Sequence, residues 1–161
     1  MLDSDLINRI RHIFLHQRPH VSIMTARQLL GWSQAQMTRA ITAGEIELMV
    51  TPLAKWVWRE ELVAKAIEPW PLDVIEAALG DDAARVLPPT IRTCELRARI
   101  PRYEVAMLEH LAGRESTTVS RVLTRELEDV ASAHADELSS AIPCFAAALG
   151  WPRSGESQQP C

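Results

Sequence analysis

Apolar side chains recur three to four positions apart over residues 3–17, which predicts an amphipathic helix. Two shorter helical patterns follow at residues 26–30 and 34–43. Thr25 and Ser33 precede them, and both residue types cap helices because their hydroxyl oxygens accept a backbone N–H. A tight turn that contains a glycine separates the two patterns, so the sequence predicts a helix-turn-helix.

A different pattern follows this pair of helices. Residues 46–50 and 55–58 are predicted strands on either side of a turn at 51–54, and together they predict a β-hairpin. Residues 60–67 then predict a closing helix, since their apolar side chains return to helical spacing.

Prolines divide the next segment, residues 69–93, into short pieces. Helical patterns at 72–79 and 82–87 lie among its four prolines. Because proline fixes φ and stiffens the chain, we expect a structured linker here.

Residues 94–131 begin with an alternation of apolar and polar side chains at 95–100. Pro101 ends this predicted strand, and helical patterns follow at 102–112 and 119–130. A single strand leaves its backbone donors and acceptors unsatisfied, and no other strand of matching type lies next to it in sequence. The simplest partner is the same strand of a second copy, paired antiparallel about a two-fold axis, so the pattern predicts a homodimer.

The helical pattern weakens after His134. Apolar residues continue to position 151 with an interruption at Pro143, and residues 152–161 predict a disordered tail. The apolar residues either dock a partner protein or pack on the protein's own core. The predicted segments are an N-terminal helix (1–24), the helix-turn-helix with its hairpin (25–68), the linker (69–93), the strand with two helices (94–133) and the C-terminal apolar segment with its tail (134–161).

Composition is typical of a soluble globular protein, with 47% hydrophobic and 24% charged residues. No apolar run approaches the roughly 18–20 residues that span a bilayer, and the N-terminus lacks the order of a secretory signal. Three cysteines at wide spacing favour reduced thiols over a disulfide framework. We therefore expect a cytoplasmic protein with no membrane partner.

The net charge of −4 is unevenly distributed. Residues 1–44 carry five arginines against two aspartates, whereas residues 45–91 carry four basic and nine acidic groups. Residues 92–131 balance seven of each. One basic face can bind DNA on a protein that is acidic overall, so the charge does not exclude a nucleic-acid partner.

The order of caps and glycines in residues 25–68 resembles the winged helix-turn-helix of excisionases and MerR-type regulators. The matching positions are Thr25, Leu30-Gly31, Ser33, Gly44 and Glu60-Glu61-Leu62. The resemblance implies a recognition helix at 34–43 and a wing at the hairpin, whose register stays open because Lys55–Arg59 departs from the family's pattern. The implied DNA-binding residues are Gln34, Gln36, Thr38 and Arg39 on the helix and Lys55 on the wing. Glutamine can pair with adenine and arginine with guanine, and the alternative is a solvated face on a protein-binding module.

Residues 94–131 resemble the ribbon-helix-helix proteins of the Arc/MetJ type, through the strand that ends Arg99-Ile100-Pro101 and the helix that opens Thr117-Thr118-Val119-Ser120. The resemblance implies that the outward residues Glu95, Arg97 and Arg99 face bases in the major groove. It also implies that Thr117 and Thr118 hold a phosphate at the start of the second helix. The alternative is that the fold only dimerises and that the two arginines form surface ion pairs.

These expectations describe a mainly α protein: a winged helix-turn-helix plus a ribbon-helix-helix with an intermolecular two-stranded β-ribbon. We expect a homodimer that binds double-stranded DNA sequence-specifically, as a transcriptional repressor or an excisionase-like factor. The alternative is an antitoxin or adaptor that binds a partner protein through residues 134–151.

The sequence contains no catalytic constellation, so we expect neither an enzyme nor a cofactor. His12, His16 and His20 lie four positions apart, which could bring three imidazoles to one metal ion. Pro19 is expected to end the helix before His20, and no metal site is predicted.

Overall fold

The computed structural model describes residues 2–152 of the chain. This part of the chain is mainly helical and carries a small three-stranded antiparallel sheet, which agrees with the predicted mainly α class. Its contacts divide it into two compact units: unit 1 holds residues 2–93 and 150–152, and unit 2 holds residues 94–149. No helix within residues 2–152 is both long enough and apolar enough to cross a bilayer.

Unit 1 contains the predicted pair of helices, the hairpin and the closing helix. In chain order its elements are α1 (Ser4–Leu15), β1 (His20–Ser22), α2 (Ile23–Leu30), α3 (Gln34–Thr42), β2 (Leu48–Val50), β3 (Lys55–Trp58), α4 (Arg59–Ala66), α5 (Leu72–Leu79), a 3-10 turn (Gly80–Asp82) and α6 (Ala83–Val86).

The strand β1 is an element that the sequence does not predict. It pairs antiparallel with β3, with Ser22 opposite Trp56, and β2 pairs with the other edge of β3, with Val50 opposite Lys55. The order across the sheet is therefore β1-β3-β2. At three residues β1 is too short to show a periodic pattern, so it is revealed only by its pairing with a distant strand.

Two predicted helix caps have different outcomes. α2 begins at Ile23, and its N-cap is Ser22, whose Oγ accepts the backbone N–H of Thr25 at 3.1 Å. The prediction that Thr25 is the cap is therefore wrong, because a serine three residues earlier already starts the helix. The prediction for Ser33 is confirmed, since its Oγ accepts a backbone N–H in the first turn of α3 at 3.2 Å. Gly31 ends α2 in the left-handed conformation, with φ 70°.

Helices α1 and α5 contribute to the centre of the unit 1 core. Ile10 and Ile13 of α1 and Ile75 of α5 are fully buried in one apolar cluster. Residues 69–93, predicted as a linker, therefore supply part of this core. Trp151 packs against the same cluster.

Unit 2 contains the helices α7 (Arg102–Arg114), α8 (Val119–Ala133) and α9 (Ala135–Ala141), and all of α10 (Phe145–Gly150) except its last residue. The two predicted long helices are confirmed, and so is the break in the C-terminal helix at Pro143. The buried core of this unit is small and consists of Leu108, Ala112 and Val122.

The strand predicted at residues 95–100 is not formed in this single chain, where residues 93–101 have no regular secondary structure. A strand needs a hydrogen-bonding neighbour, and the prediction gave that role to a second copy. The intermolecular ribbon therefore stays a prediction. Cys94 is an exposed free thiol, which agrees with the expectation of a reduced thiol at that position. Residues 153–161 of the predicted tail lie outside the described residues.

Candidate nucleic-acid interface

The outer face of α3 carries the first group of predicted DNA-binding residues. Gln34, Thr38 and Arg39 are exposed, whereas Met37 and Ala40 on the other side of the helix are buried in the core. The helix is therefore anchored by one face and presents polar groups on the opposite face. An amide, a hydroxyl and a guanidinium can each bond the edge of a base.

Gln36 has a structural role that the sequence prediction did not include. The side-chain Oε1 of Gln36 accepts the backbone N–H of Ser33 at 2.8 Å. The backbone N–H of Gln36 donates to the Ser33 hydroxyl, which completes a capping box. The Oε1 atom of Gln36 is therefore engaged in capping α3, and the side-chain Nε2 is the group that can still donate to a ligand. The Ser-x-x-Gln spacing is the signal that identifies such a box.

The predicted wing is a closed turn. The Thr51 hydroxyl donates to the Ala54 carbonyl at 2.8 Å, and the Ala54 N–H donates back to the same hydroxyl oxygen at 3.0 Å. Lys55 follows the turn as an exposed side chain at the start of β3, and Leu53 at the tip is 98% exposed. The turn presents one cation and one apolar side chain to the solvent.

Two of the five arginines near the N-terminus are hydrogen-bonded to other groups of unit 1. Arg9 Nε donates to the Leu29 carbonyl at 2.8 Å, and Arg11 bonds the Leu79 carbonyl and Asp82. The Arg11 guanidinium is the first cause that lowers the pKa of Asp82 below its ordinary value. The arginine excess counted from the sequence therefore overstates the charge that unit 1 presents to a polyanion.

The predicted base-reading residues of unit 2 are exposed but contact each other. Arg97 Nε lies 3.3 Å from Glu95 Oε1, and both side chains are mostly exposed. Arg99 is exposed as well. In the single chain Arg97 therefore forms a surface ion pair with Glu95, as the alternative to DNA contact predicted for both arginines.

The start of α8 already uses part of its hydrogen-bonding capacity. Thr118 is the N-cap, and its Oγ1 accepts the backbone N–H of Arg121 at 3.3 Å. The N–H of Thr117 donates to the Ala112 carbonyl at 2.9 Å and is not free for a phosphate. Of the two threonines, Thr118 thus lies at the helix terminus, and Thr117 closes the turn before it.

The structure also gathers residues that the sequence analysis set aside. His12, His16 and His20 line one cleft together with Trp56. His20 is brought back to the other two by the pairing of β1 with β3, although Pro19 ends the helical spacing. The four-residue spacing of the histidines suggested that they could meet. The strand pairing that brings His20 to the other two could not be predicted from the sequence. The described residues contain no group of three side chains suited to a metal ion.

Comparison of the chain with protein-family models, with curated protein sequences and with solved structures finds no match.

Proposed function

We propose that this protein is a homodimeric, sequence-specific DNA-binding protein that acts as a transcriptional regulator. In this proposal unit 1 is a winged helix-turn-helix that contacts DNA, and unit 2 is a ribbon-helix-helix that joins two copies. Base contact by Arg97 and Arg99 is a secondary part of the proposal, since dimerisation alone would explain the fold of unit 2.

The order of elements in unit 1 carries the proposal. Two helices joined by a tight turn are followed by a hairpin, and the strand β1 before them lies against that hairpin. This order accords with the winged helix-turn-helix that residues 25–68 resemble. The exposed polar side chains Gln34, Thr38 and Arg39 lie on the face of α3 that such a motif places in the major groove.

The uncovered apolar residues of unit 2 support the homodimer. On α8, Val122 is buried, whereas Leu123, Leu127 and Val130 on the same stripe are 41–55% exposed. On the preceding segment Leu96 is 77% exposed. Exposed apolar residues along one stripe of a helix normally mark a protein–protein contact, and a second copy would cover them while pairing the 95–100 segments.

The test is selection of binding sites from randomised duplex DNA by the whole protein, followed by affinity measurements at physiological salt. We expect a palindromic site, and we expect Arg39→Ala to weaken binding to it by about tenfold or more, because an arginine–guanine pair contributes roughly 1–3 kcal/mol. Arg85→Ala is the matched control, since Arg85 is 77% exposed on α6 and lies outside the proposed interface.

The control should bind the selected site like the unaltered protein. If the whole protein selects no sequence, or if both arginine variants lose the same affinity, the proposed function is wrong.

A second candidate function, an antitoxin or adaptor, is favoured by a specific observation on residues 134–151. Helices α9 and α10 contain no buried residue, and Ile142 and Leu149 are each 46% exposed. The full chain with Ile142→Ser and Leu149→Ser should then lose a co-purifying partner, whereas Ser139→Ala should keep it. Retention of the partner by the double variant would argue against this function.

A further inference from the structure

A cleft of about 540 Å³ opens in unit 1 between the end of α1, the strand β1, the first turn of α2 and the strand β3. Three of the five histidines of the chain line it. The volume lies in the range of sites that hold small molecules or single groups of larger ligands. None of the residues proposed to read DNA lies on its wall.

The polar side chains on the wall are hydrogen-bond donors. They comprise the imidazoles of His12, His16 and His20, the guanidinium of Arg18 and the hydroxyls of Ser22 and Thr25. No aspartate or glutamate is among the described residues that line the cleft. A wall that can become positive and contains no carboxylate favours an anionic ligand.

His12 on α1 and His16, which directly follows this helix, are held in a defined arrangement. The rings of His12 and His16 stack with their centres 4.6 Å apart, and His16 Nδ1 accepts the backbone N–H of Arg18 at 3.1 Å. Because Nδ1 is an acceptor, the neutral His16 ring carries its proton on Nε2, which is the atom that can donate to a ligand.

The surroundings of this pair are electropositive. Burial is the first cause that lowers the pKa of His12, and the positive charges of His16 and Arg59 lower it further. Arg59 reaches the same region from α4, and its Nη2 is buried without a hydrogen-bond partner among the described residues. A bound anion would relieve the repulsion between these groups.

The opposite wall offers hydroxyls and an aromatic face. Ser22 Oγ and Thr25 Oγ1 lie 2.8 Å apart, so one hydroxyl donates to the other and the second keeps its hydrogen for another acceptor. His20 meets Trp56 edge to face, with ring centres 5.1 Å apart.

We propose that this cleft binds a phosphate group, held by His16, Arg18 and the Ser22–Thr25 hydroxyl pair. A phosphate presents several acceptor oxygens and more than one negative charge, which suits donors that converge from a helix, a loop and a strand. The group comes either from a free phosphate compound or from the DNA backbone. The first source does not depend on the proposed DNA binding, whereas the second rests on it.

The test begins with inorganic phosphate and the full chain, without DNA. The imidazole resonances are followed by NMR at about pH 6, where histidines titrate. We expect the His12 and His16 resonances to shift and to saturate. We also expect phosphate to raise the pKa of His12, which lies near His16 and Arg59 and shares the cleft wall with Arg18. His110 and His134 lie in unit 2 and serve as internal controls whose resonances should not move.

Two variants test the donors. Arg18→Gln and His16→Gln change exposed side chains. Each should raise the phosphate dissociation constant, read from the shift of the His12 resonance, by about tenfold, as expected for loss of one charge-assisted hydrogen bond. Arg92→Gln, which removes an exposed arginine outside the cleft, should leave the shift unchanged. A thermal unfolding curve for each variant shows that the protein is still folded.

A second titration with the selected DNA duplex distinguishes the two sources. If inorganic phosphate saturates the cleft, the site takes a free phosphate compound, even if the protein binds no DNA. If only the duplex moves the His16 resonance, and Arg18→Gln weakens DNA binding, the ligand is a backbone phosphate. If neither probe shifts these resonances, or if the internal controls shift equally, the proposed site is wrong, whether or not the protein binds DNA elsewhere.

Discussion

Several arginines of unit 1 bind backbone carbonyls at the ends of helices. Arg59 Nη1 donates to the carbonyls of His12 and Ile13 at 2.8 and 2.9 Å, and its Nε donates to the Arg18 carbonyl. The carbonyls of His12 and Ile13 are among the acceptors that α1 leaves unsatisfied at its C-terminus, and the Arg18 carbonyl lies in the segment between α1 and β1. A charge count along the sequence could not reveal this role, because it depends on which residues meet in space.

Replacing Arg59 by leucine should destabilise unit 1 by about 2–4 kcal/mol, because it leaves these carbonyls without partners. Arg59→Lys should have an intermediate effect, since one ammonium group cannot reach every acceptor. Urea unfolding measures the change, and Arg85→Ala should alter stability by less than about 0.5 kcal/mol. Equal urea midpoints for Arg59→Leu and the unaltered protein would contradict this account.

The stability of unit 1 should depend on pH through His12. Burial, with the nearby positive charges, holds the pKa of His12 below its ordinary value in the folded protein. The unfolded chain therefore binds the proton more readily, and the free energy of unfolding should fall as the pH is lowered from about 7 to about 5. His12→Gln in phosphate-free buffer should flatten this dependence in a thermal unfolding series. If the free energy of unfolding of His12→Gln fell more steeply with decreasing pH than that of the unaltered protein, the predicted direction of the pH dependence would be wrong.

At the scale of elements, helix ends determine where the chain turns. Gly31 ends α2 with a positive φ, its N–H donates to the Gln28 carbonyl, and the next N–H donates to the Arg27 carbonyl. The Arg9 guanidinium lies where a β-carbon at position 31 would stand. The backbone conformation therefore requires glycine, and a β-carbon would also force the Arg9 guanidinium to move.

Gly31→Ala should destabilise unit 1 by about 1–2 kcal/mol, since alanine disfavours the left-handed conformation and would displace Arg9. Gly113→Ala is the matched control, because Gly113 lies inside α7 with open space around its missing β-carbon. That change should stabilise α7 by about 0.5–1 kcal/mol. If the thermal unfolding midpoint shifted in the same direction for both variants, the proposed requirement for glycine at position 31 would be refuted.

The predictable elements are those determined by neighbouring residues. Apolar spacing and the Ser33 cap predict α3 correctly, and the hairpin follows from two short runs around a turn. The strand β1 and the cleft at His20 could not be predicted, because both depend on the pairing of β1 with a strand far away in the sequence. The segment 95–100 has the pattern of a strand but lacks a neighbour in the single chain. The local sequence pattern thus predicts individual helices and strands, whereas the cleft depends on the pairing of β1 with β3.

At the scale of the whole molecule, the two units differ in how far their apolar residues are covered. Unit 1 has a large buried cluster, whereas the buried core of unit 2 contains only Leu108, Ala112 and Val122. So small a core is expected to need oligomerisation for stability.

Leu127→Glu should shift the proposed homodimer to monomer, because it places a charge on the uncovered stripe of α8, where Leu127 is 55% exposed. We expect the dimer dissociation constant to rise by about a hundredfold or more, as measured by analytical ultracentrifugation. Ser132→Glu puts the same charge on the opposite side of α8 and should leave the dimer dissociation constant unchanged. A monomeric unaltered protein would remove the basis of the predicted homodimer.

Arg9 joins parts of unit 1 that are far apart in the chain. Its Nε donates to Leu29, and its guanidinium lies 5.1 Å from the centre of the Trp70 ring. Trp70 follows the segment that resembles a winged helix, so a polypeptide that stopped at Glu68 would lose this ring together with the buried face of α5. We therefore expect autonomous folding to require a fragment that extends at least to Thr93, well beyond the shorter motif that the sequence suggests.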